Sequence, residues 1–266
     1  MTRAIRALAS MILLLLCYVP ANAADAGERK CGSEFVAYGL EGVPFSVALD
    51  VAGKIHNEYQ ESLLTQLASD GVTFNSVDEL RAIIEANSIS FFKPKGMDFK
   101  DHPFGISFAV GANDITFSPQ NYSPQGLDIM NRLRDMVISY KGDGDPKLFE
   151  RLTALREEAL GLPDDKEVFT VGVPVSVAIY SFSYWQLNAD RWSATLTQRY
   201  GGSDSAQAKI GLGQLGAADI GGAITGGFDG VVLGPGGAFA GAVLGSATAS
   251  LGNLASQVMG HFFSWW

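Results

Sequence analysis

The stretch GGAITGGFDGVVLGPGGAFAGAVLGSATASLG, residues 221–252, returns to glycine at every fourth position. Gly222, Gly226, Gly230 and Gly234 make one row. Gly237, Gly241 and Gly245 make a second, which Ala249 extends. In a helix interior glycine is about 1 kcal/mol worse than alanine, so the spacing must be compensated by packing. Positions i and i+4 lie on one helix face. Each row therefore predicts a helix with a groove free of side chains, into which a second helix settles closely, the GxxxG mode of helix packing in membranes. In lipid, exposed backbone groups are too costly, so even glycine-rich apolar segments are held helical.

The lengths agree with this. Ile210 to Leu233 is 24 residues and Gly237 to Met259 is 23, against about 20 for a span. Gly234-Pro235-Gly236 between them is a turn-forming break. Residues 206–266 thus read as a helical hairpin with a glycine row on each arm. Phe262, Phe263, Trp265 and Trp266 read as membrane-interface residues. The second arm has no charged residue from Val231 to Gly260. The first arm carries Asp219 and Asp229, each costing about 2.5–3.5 kcal/mol at a bilayer centre. Two exits stand open. The aspartates face a polar lumen in an oligomer or are protonated, or the first arm packs on protein and only the second inserts. A soluble helical pair covered by the rest of the chain is the competing reading. Disorder is disfavoured, because the glycines alternate with Ile, Val, Leu, Phe and Ala rather than with linker residues.

Residues 1–23 have the form of a secretory signal peptide: Arg3 and Arg6, the apolar run Met11–Leu16, and the small-x-small site Ala21-Asn22-Ala23. The expectation is cleavage before Ala24 and export to the periplasm, the outer envelope or the medium. Leu16 stands before Cys17 where a lipobox wants a small residue, so lipidation there is not expected. Cys31 is then the one remaining cysteine. Its place near the new N-terminus predicts an exposed thiol, open to a bridge with another chain or a small-thiol adduct.

Charge is unevenly shared. Residues 24–205 hold 16 Lys and Arg against 26 Asp and Glu, whereas 206–266 hold Lys209, Asp219 and Asp229 alone. An acidic front half excludes nucleic acid as a partner, since phosphate binding needs a basic surface. It also excludes simple electrostatic docking on anionic lipid.

The front part, 24–188, reads as an acidic, mostly helical domain with a few short strands. Val47, Val51, Ile55, Tyr59, Leu63 and Leu67 predict an amphipathic helix to Ala68, with Gly71 as its C-cap. Ser76-Val-Asp-Glu79 is a capping box that opens a helix to about Ala86. Ile89–Phe92, Phe104–Val110 and Ile115–Phe117 are short, β-prone and broken by Pro, Gly and Asn-Asp, so they read as strands or an aromatic loop. Ser123-Pro124 and Asp145-Pro146 start helices to Tyr140 and Gly161. Phe169–Asn188 has two readings. Val171, Val173, Val175 and Val177 alternate as a strand, but Pro174 forbids a central ladder position, which favours a buried helix. Residues 189–205, with Gly201-Gly-Ser-Asp204, read as a linker.

The rows Gly222/Gly226/Gly230/Gly234 and Gly237/Gly241/Gly245 resemble the glycine-zipper segments of bacterial envelope proteins and of secreted bacteriocin-like polypeptides. The likeness covers the tail and implies a packing mode rather than an activity. Upstream, Gly53-Lys-Ile-His-Asn-Glu58, Ser183-Tyr-Trp185 and Asp219-Ile-Gly-Gly222 are similar to a loose group of secreted or envelope-associated bacterial proteins. That similarity brings no catalytic residue.

A search for chemistry singles out little. His56, His102 and His261 have no metal-ligand spacing. Asp143-Gly-Asp145 fails as a calcium loop, with Lys147 at position five and no Glu at position twelve. No nucleophile elbow or phosphate loop occurs. His56-Asn57-Glu58 is the candidate polar site, read either as a base or pH-sensing contact or as a helix histidine hydrogen-bonded to the aromatic segment, the favoured reading. No catalytic residue, metal or cofactor is assigned. The expectation is a secreted or envelope protein whose tail drives membrane insertion or self-association, as a membrane-active antibacterial effector, with a protein partner for the front domain. The alternatives are a structural envelope anchor and, third, an enzyme with its site in the front domain.

Overall fold

The computed structural model describes residues 28–97, 119–140, 146–200 and 212–263, without the side chains of 77, 119, 146, 212–213, 250 and 254–263. The expected signal peptide, His102, the segments Phe104–Val110 and Ile115–Phe117, the run Gly201–Asp204, and Trp265 and Trp266 lie outside the described residues. So do the side chains of His261, Phe262 and Phe263.

The described chain is mainly helical. Its α-helices are α1 Phe45–Ala68, α2 Val77–Phe92, α3 Pro124–Ser139, α4 Pro146–Leu160, α5 Asp165–Arg199, α6 Leu212–Val231 and α7 Pro235–Phe263. Among the described residues there is no strand, only the isolated bridges Lys30–Pro44 and Phe74–Tyr200.

Local signals set most helix ends. Pro44 precedes α1, and Gly71 takes a left-handed φ of 83° two residues beyond its cap Ser69. Ser76 Oγ accepts from Glu79 N at 3.2 Å, and the Glu79 carboxylate accepts from Asn75 N at 2.6 Å. These are the two halves of a capping box, the second shifted by one residue. Ser123 caps α3 by accepting from Gly126 N at 3.1 Å, with Pro124 at N1.

Two expectations about secondary structure are corrected. Ile89–Phe92 is the last turn of α2, not a strand. Leu80, Ile84, Ser88 and Phe92, four apart, are all buried. The polar Asn87-Ser88 hides this stripe in the sequence, but Ser88 Oγ donates to Ile84 O at 2.7 Å and meets Tyr59 Oη at 2.5 Å. Phe92 stacks near Tyr59, ring centroids 4.9 Å apart. The second correction concerns 189–199, which continue α5 instead of beginning a linker. Trp192 and Leu196 are buried, and Arg191 pairs with Glu61 of α1 at 2.9 Å.

Helix α5 runs through the middle, packed against α1, α4, α6 and α7. Val168 through Ala178 are all buried. A helix covered on every side has apolar residues at every position, which explains the misleading valine alternation. Pro174 lies inside it.

Helices α6 and α7 make the most extensive helix contact of the fold, running antiparallel. Gly222 faces Gly245, Gly226 faces Gly241 and Gly230 faces Gly237, so closely that a Cβ on any of the six would strike the facing carbonyl oxygen. Gly234 is a correction: it is not in this row but in the turn, at φ 89° with open space around its Cα. Leu215, Ile220, Phe239, Val243, Leu244 and their neighbours are buried in the common core. The exposed large apolar residues of the pair are at the turn, Val232 at 82% and Leu233 at 58%.

Candidate functional site

His56 and Gln60 are one turn apart on α1, and Ser181 and Trp185 one turn apart on α5. Such i, i+4 spacing aims both pairs from one face of their helices. His56, Ser181 and Trp185 converge on Asp219 of α6, and Gln60 stands beside His56. His56 Nε2 lies 3.1 Å from Asp219 Oδ1. Ser181 Oγ donates to Asp219 Oδ2 at 2.5 Å and Trp185 Nε1 donates to the same oxygen at 2.9 Å. His56, Gln60, Ser181, Trp185 and Asp219 have no solvent exposure. The His56–Asp219 contact has the distance of an ion pair without the alignment of a hydrogen bond, so charge attraction is its main component.

The other ring nitrogen, His56 Nδ1, lies 2.9 Å from Asn57 Oδ1. The Asn57 amide is oriented from its far side, where Nδ2 donates to Tyr180 O at 3.0 Å. Both ring nitrogens thus face oxygen atoms that only accept, an arrangement both N–H groups of an imidazolium satisfy together. Gln60 Nε2 is farther away, 3.4 Å from Nε2. Burial on its own pushes the His56 pKa down. The Asp219 charge, with the close contacts to Asp219 and Asn57, outweighs it, and the net shift is upward from 6.5.

The chemistry available here is charge neutralisation. A buried carboxylate without a partner is very costly, and Asp219 has three. A nucleophilic triad it is not. Ser181 donates to the aspartate instead of to the imidazole, and none of the three groups reaches solvent. Among the described residues no group of three or more His, Cys, Asp and Glu stands close enough to hold a metal ion. An open groove of about 460 Å³ between the C-terminal ends of α1 and α5 is lined by Leu64, Thr65, Arg191 and Thr195 and lies elsewhere.

The residues of the candidate polar site separate. His56 is in the buried cluster and Asn57 orients it, whereas Glu58 pairs with Lys95 at 3.8 Å at the surface. The sequence reading tied His56 to the aromatic segment; its direct partner is Asp219, and the aromatic Trp185 reaches the same carboxylate. Asp219, Ser181 and Trp185 were not singled out as site residues. Their signal is the isolated acid in an apolar Gly/Ala/Ile helix, which once buried requires a partner. Of the first-arm aspartates, Asp219 takes the exit of packing on protein, and Asp229 is solvent-exposed. Cys31, expected at the surface, is buried at 3% exposure, with its amide bonded to Val43 O at 2.9 Å. Desolvation, with the Glu34 charge added, pushes its thiol up to about 12.

Comparison with protein-family models, curated proteins and solved structures finds no match to this chain.

Proposed function

We propose that this chain is an exported protein that carries a glycine-zipper hairpin, α6 and α7, inside a jacket formed by the front helices, and acts at membranes by exposing it. The observation that carries the reading is the self-sufficiency of the pair. Its arms meet backbone to backbone at Gly222/Gly245, Gly226/Gly241 and Gly230/Gly237. Such contacts persist when the surroundings change from protein to lipid, because they need no solvent-driven association. The second arm brings no charged residue before His261. The exposed Val232 and Leu233 sit at the leading turn. Among the described residues α5 is the one helix long and apolar enough to cross a membrane, and 83% of its apolar window is buried in the protein. The glycine rows, spent on each other, are not open to a second chain in this state, so self-association would follow exposure instead of preceding it.

With a net charge of −9, the target surface is zwitterionic lipid rather than anionic lipid. An antagonistic effector is the biological role that fits export together with a sheathed apolar hairpin. The test uses the chain from Ala24 onward with dye-loaded phosphatidylcholine vesicles. Flotation together with dye release, and killing of target bacteria, supports the effector. Flotation without release or killing favours an envelope anchor. If neither flotation nor release occurs, the hairpin is a permanent core and the membrane reading falls. The anchor has its own support in the contacts of His56, Ser181 and Trp185 with Asp219, which stabilise the packed state.

A further inference from the structure

His56 belongs to the jacket and Asp219 to the hairpin. Their pair is the described ion pair that bridges α1 to α6, and both side chains are fully buried. We propose that it is a proton-dependent latch: a proton on His56 keeps the Asp219 carboxylate neutralised in the interior, and losing that proton as pH rises frees α6 and α7 from the jacket.

The geometry carries this. Asp219 Oδ1 faces Nε2, and Asn57 Oδ1, oriented by its bond to Tyr180 O, faces Nδ1. A neutral imidazole has one N–H only, so one of its nitrogens would present a lone pair to an oxygen. Deprotonation therefore removes the countercharge of a buried carboxylate and makes one of these contacts repulsive at the same time. Ser181 and Trp185 remain on Oδ2, but both are neutral donors. In the step itself one N–H bond of the imidazolium breaks and its proton goes to hydroxide, giving water.

Few other charges act on the pair. From α1, Asn57 and Gln60 face it and are neutral. From α5 come Ser181, Trp185 and the Tyr180 carbonyl. Helix α6 supplies Asp219 itself, and α7 has no Asp, Glu, Lys or Arg at any position. Asp50 and Arg156 stand beside Tyr180, paired with each other. They offset one another and leave the Asp219 carboxylate as the dominant field on His56.

The sign follows from linkage. The folded-state pKa of His56 is raised above 6.5. The latch is thus fully present below 6.5 and is lost as pH rises through the folded-state value. Between those two points one proton is released on opening, so the opening constant grows about tenfold per pH unit. The latch stands without the membrane reading; its use in delivering the hairpin rests on that reading.

The experiment uses the chain from Ala24 onward. Hydrogen exchange of α6 amides, corrected for intrinsic rates, is followed from about pH 6 to about pH 9, where histidine is the side chain that titrates. The wild type is expected to lose protection in α6 at about tenfold per pH unit in the window, and H56Q/D219N, with a neutral pair, to lack that loss. Superimposable profiles overturn the latch. Should the double variant fail to fold, nitrogen NMR of the wild type decides: both His56 ring nitrogens protonated at pH 7 supports the latch, and a neutral tautomer overturns it. Dye release from phosphatidylcholine vesicles, run beside it, should rise over the same pH range. Loss of α6 protection without dye release supports the latch and overturns the membrane reading.

Discussion

Gly226 and Gly241 face each other across the α6–α7 contact so closely that a Cβ on either would strike the carbonyl oxygen of the other. Backbone cannot rotate out of the way as a side chain does, so the only relief is separation of the helices. Gly227, the next residue, is different. A Cβ there would lie 3.4 Å from Ala242 Cβ, an ordinary contact. Gly226→Ala is therefore expected to destabilise by about 1–3 kcal/mol as an overpacked site, against its gain in helix propensity. Gly227→Ala is expected to be neutral or to stabilise by up to about 1 kcal/mol. Urea unfolding of both variants measures the difference. Equal effects would show that the close approach does not exist.

Asp219 Oδ2 accepts from Ser181 and Trp185 together. Asp219→Ala takes this acceptor from both donors and from His56 Nε2, and is expected to cost about 3–5 kcal/mol, as for breaking a buried pair. Trp185→Phe removes one donor to a charged group and should cost about 1.5–3 kcal/mol. Chemical denaturation ranks them; a Trp185→Phe cost equal to or above that of Asp219→Ala would mean that Asp219 is not the hub of the cluster.

Cys31 combines burial with a thiol pushed up to about 12, by desolvation first and the Glu34 charge second. At pH 8 the thiolate is scarce and shielded, so a disulfide reagent should modify the native chain slowly and the urea-unfolded chain at the rate of a free cysteine. The native protein should also run as a monomer on a non-reducing gel. Rapid native labelling would place Cys31 at the surface.

Val232 and Leu233 are exposed at the α6–α7 turn. Changing both to aspartate should leave thermal stability nearly unchanged, because neither side chain is packed. On the proposed membrane action it should sharply reduce flotation with phosphatidylcholine vesicles, since two carboxylates would have to enter lipid first. Unchanged flotation would exclude this turn as the leading element.

Much of the helical framework was legible because it rests on contacts a few residues long. Ser76 and Glu79 form a capping box, Pro124 follows its cap Ser123, and Gly71 accepts a left-handed turn, each within four positions. The glycine rows were legible too, since i, i+4 periodicity states which face of a helix is bare. The end of α2 was not, because Ser88 looks polar until Tyr59, from another helix, provides its partner. Nor was the far end of α5, where Asp190, Arg191 and Arg199 resemble linker residues and Arg191 in fact reaches Glu61 across to α1.

Asp219 separates the two kinds of information most clearly. From sequence it follows that an acid amid Gly, Ala and Ile must be exposed, protonated or paired, because an isolated charge in an apolar medium is untenable. Which of these holds, and that the partners are His56 from α1 and Ser181 and Trp185 from α5, depends on how three helices cross. Local propensity sets where each helix begins and which face is bare. Long-range packing alone sets which side chains from distant parts of the chain meet on that face, because such contacts have no trace in the spacing of neighbouring residues.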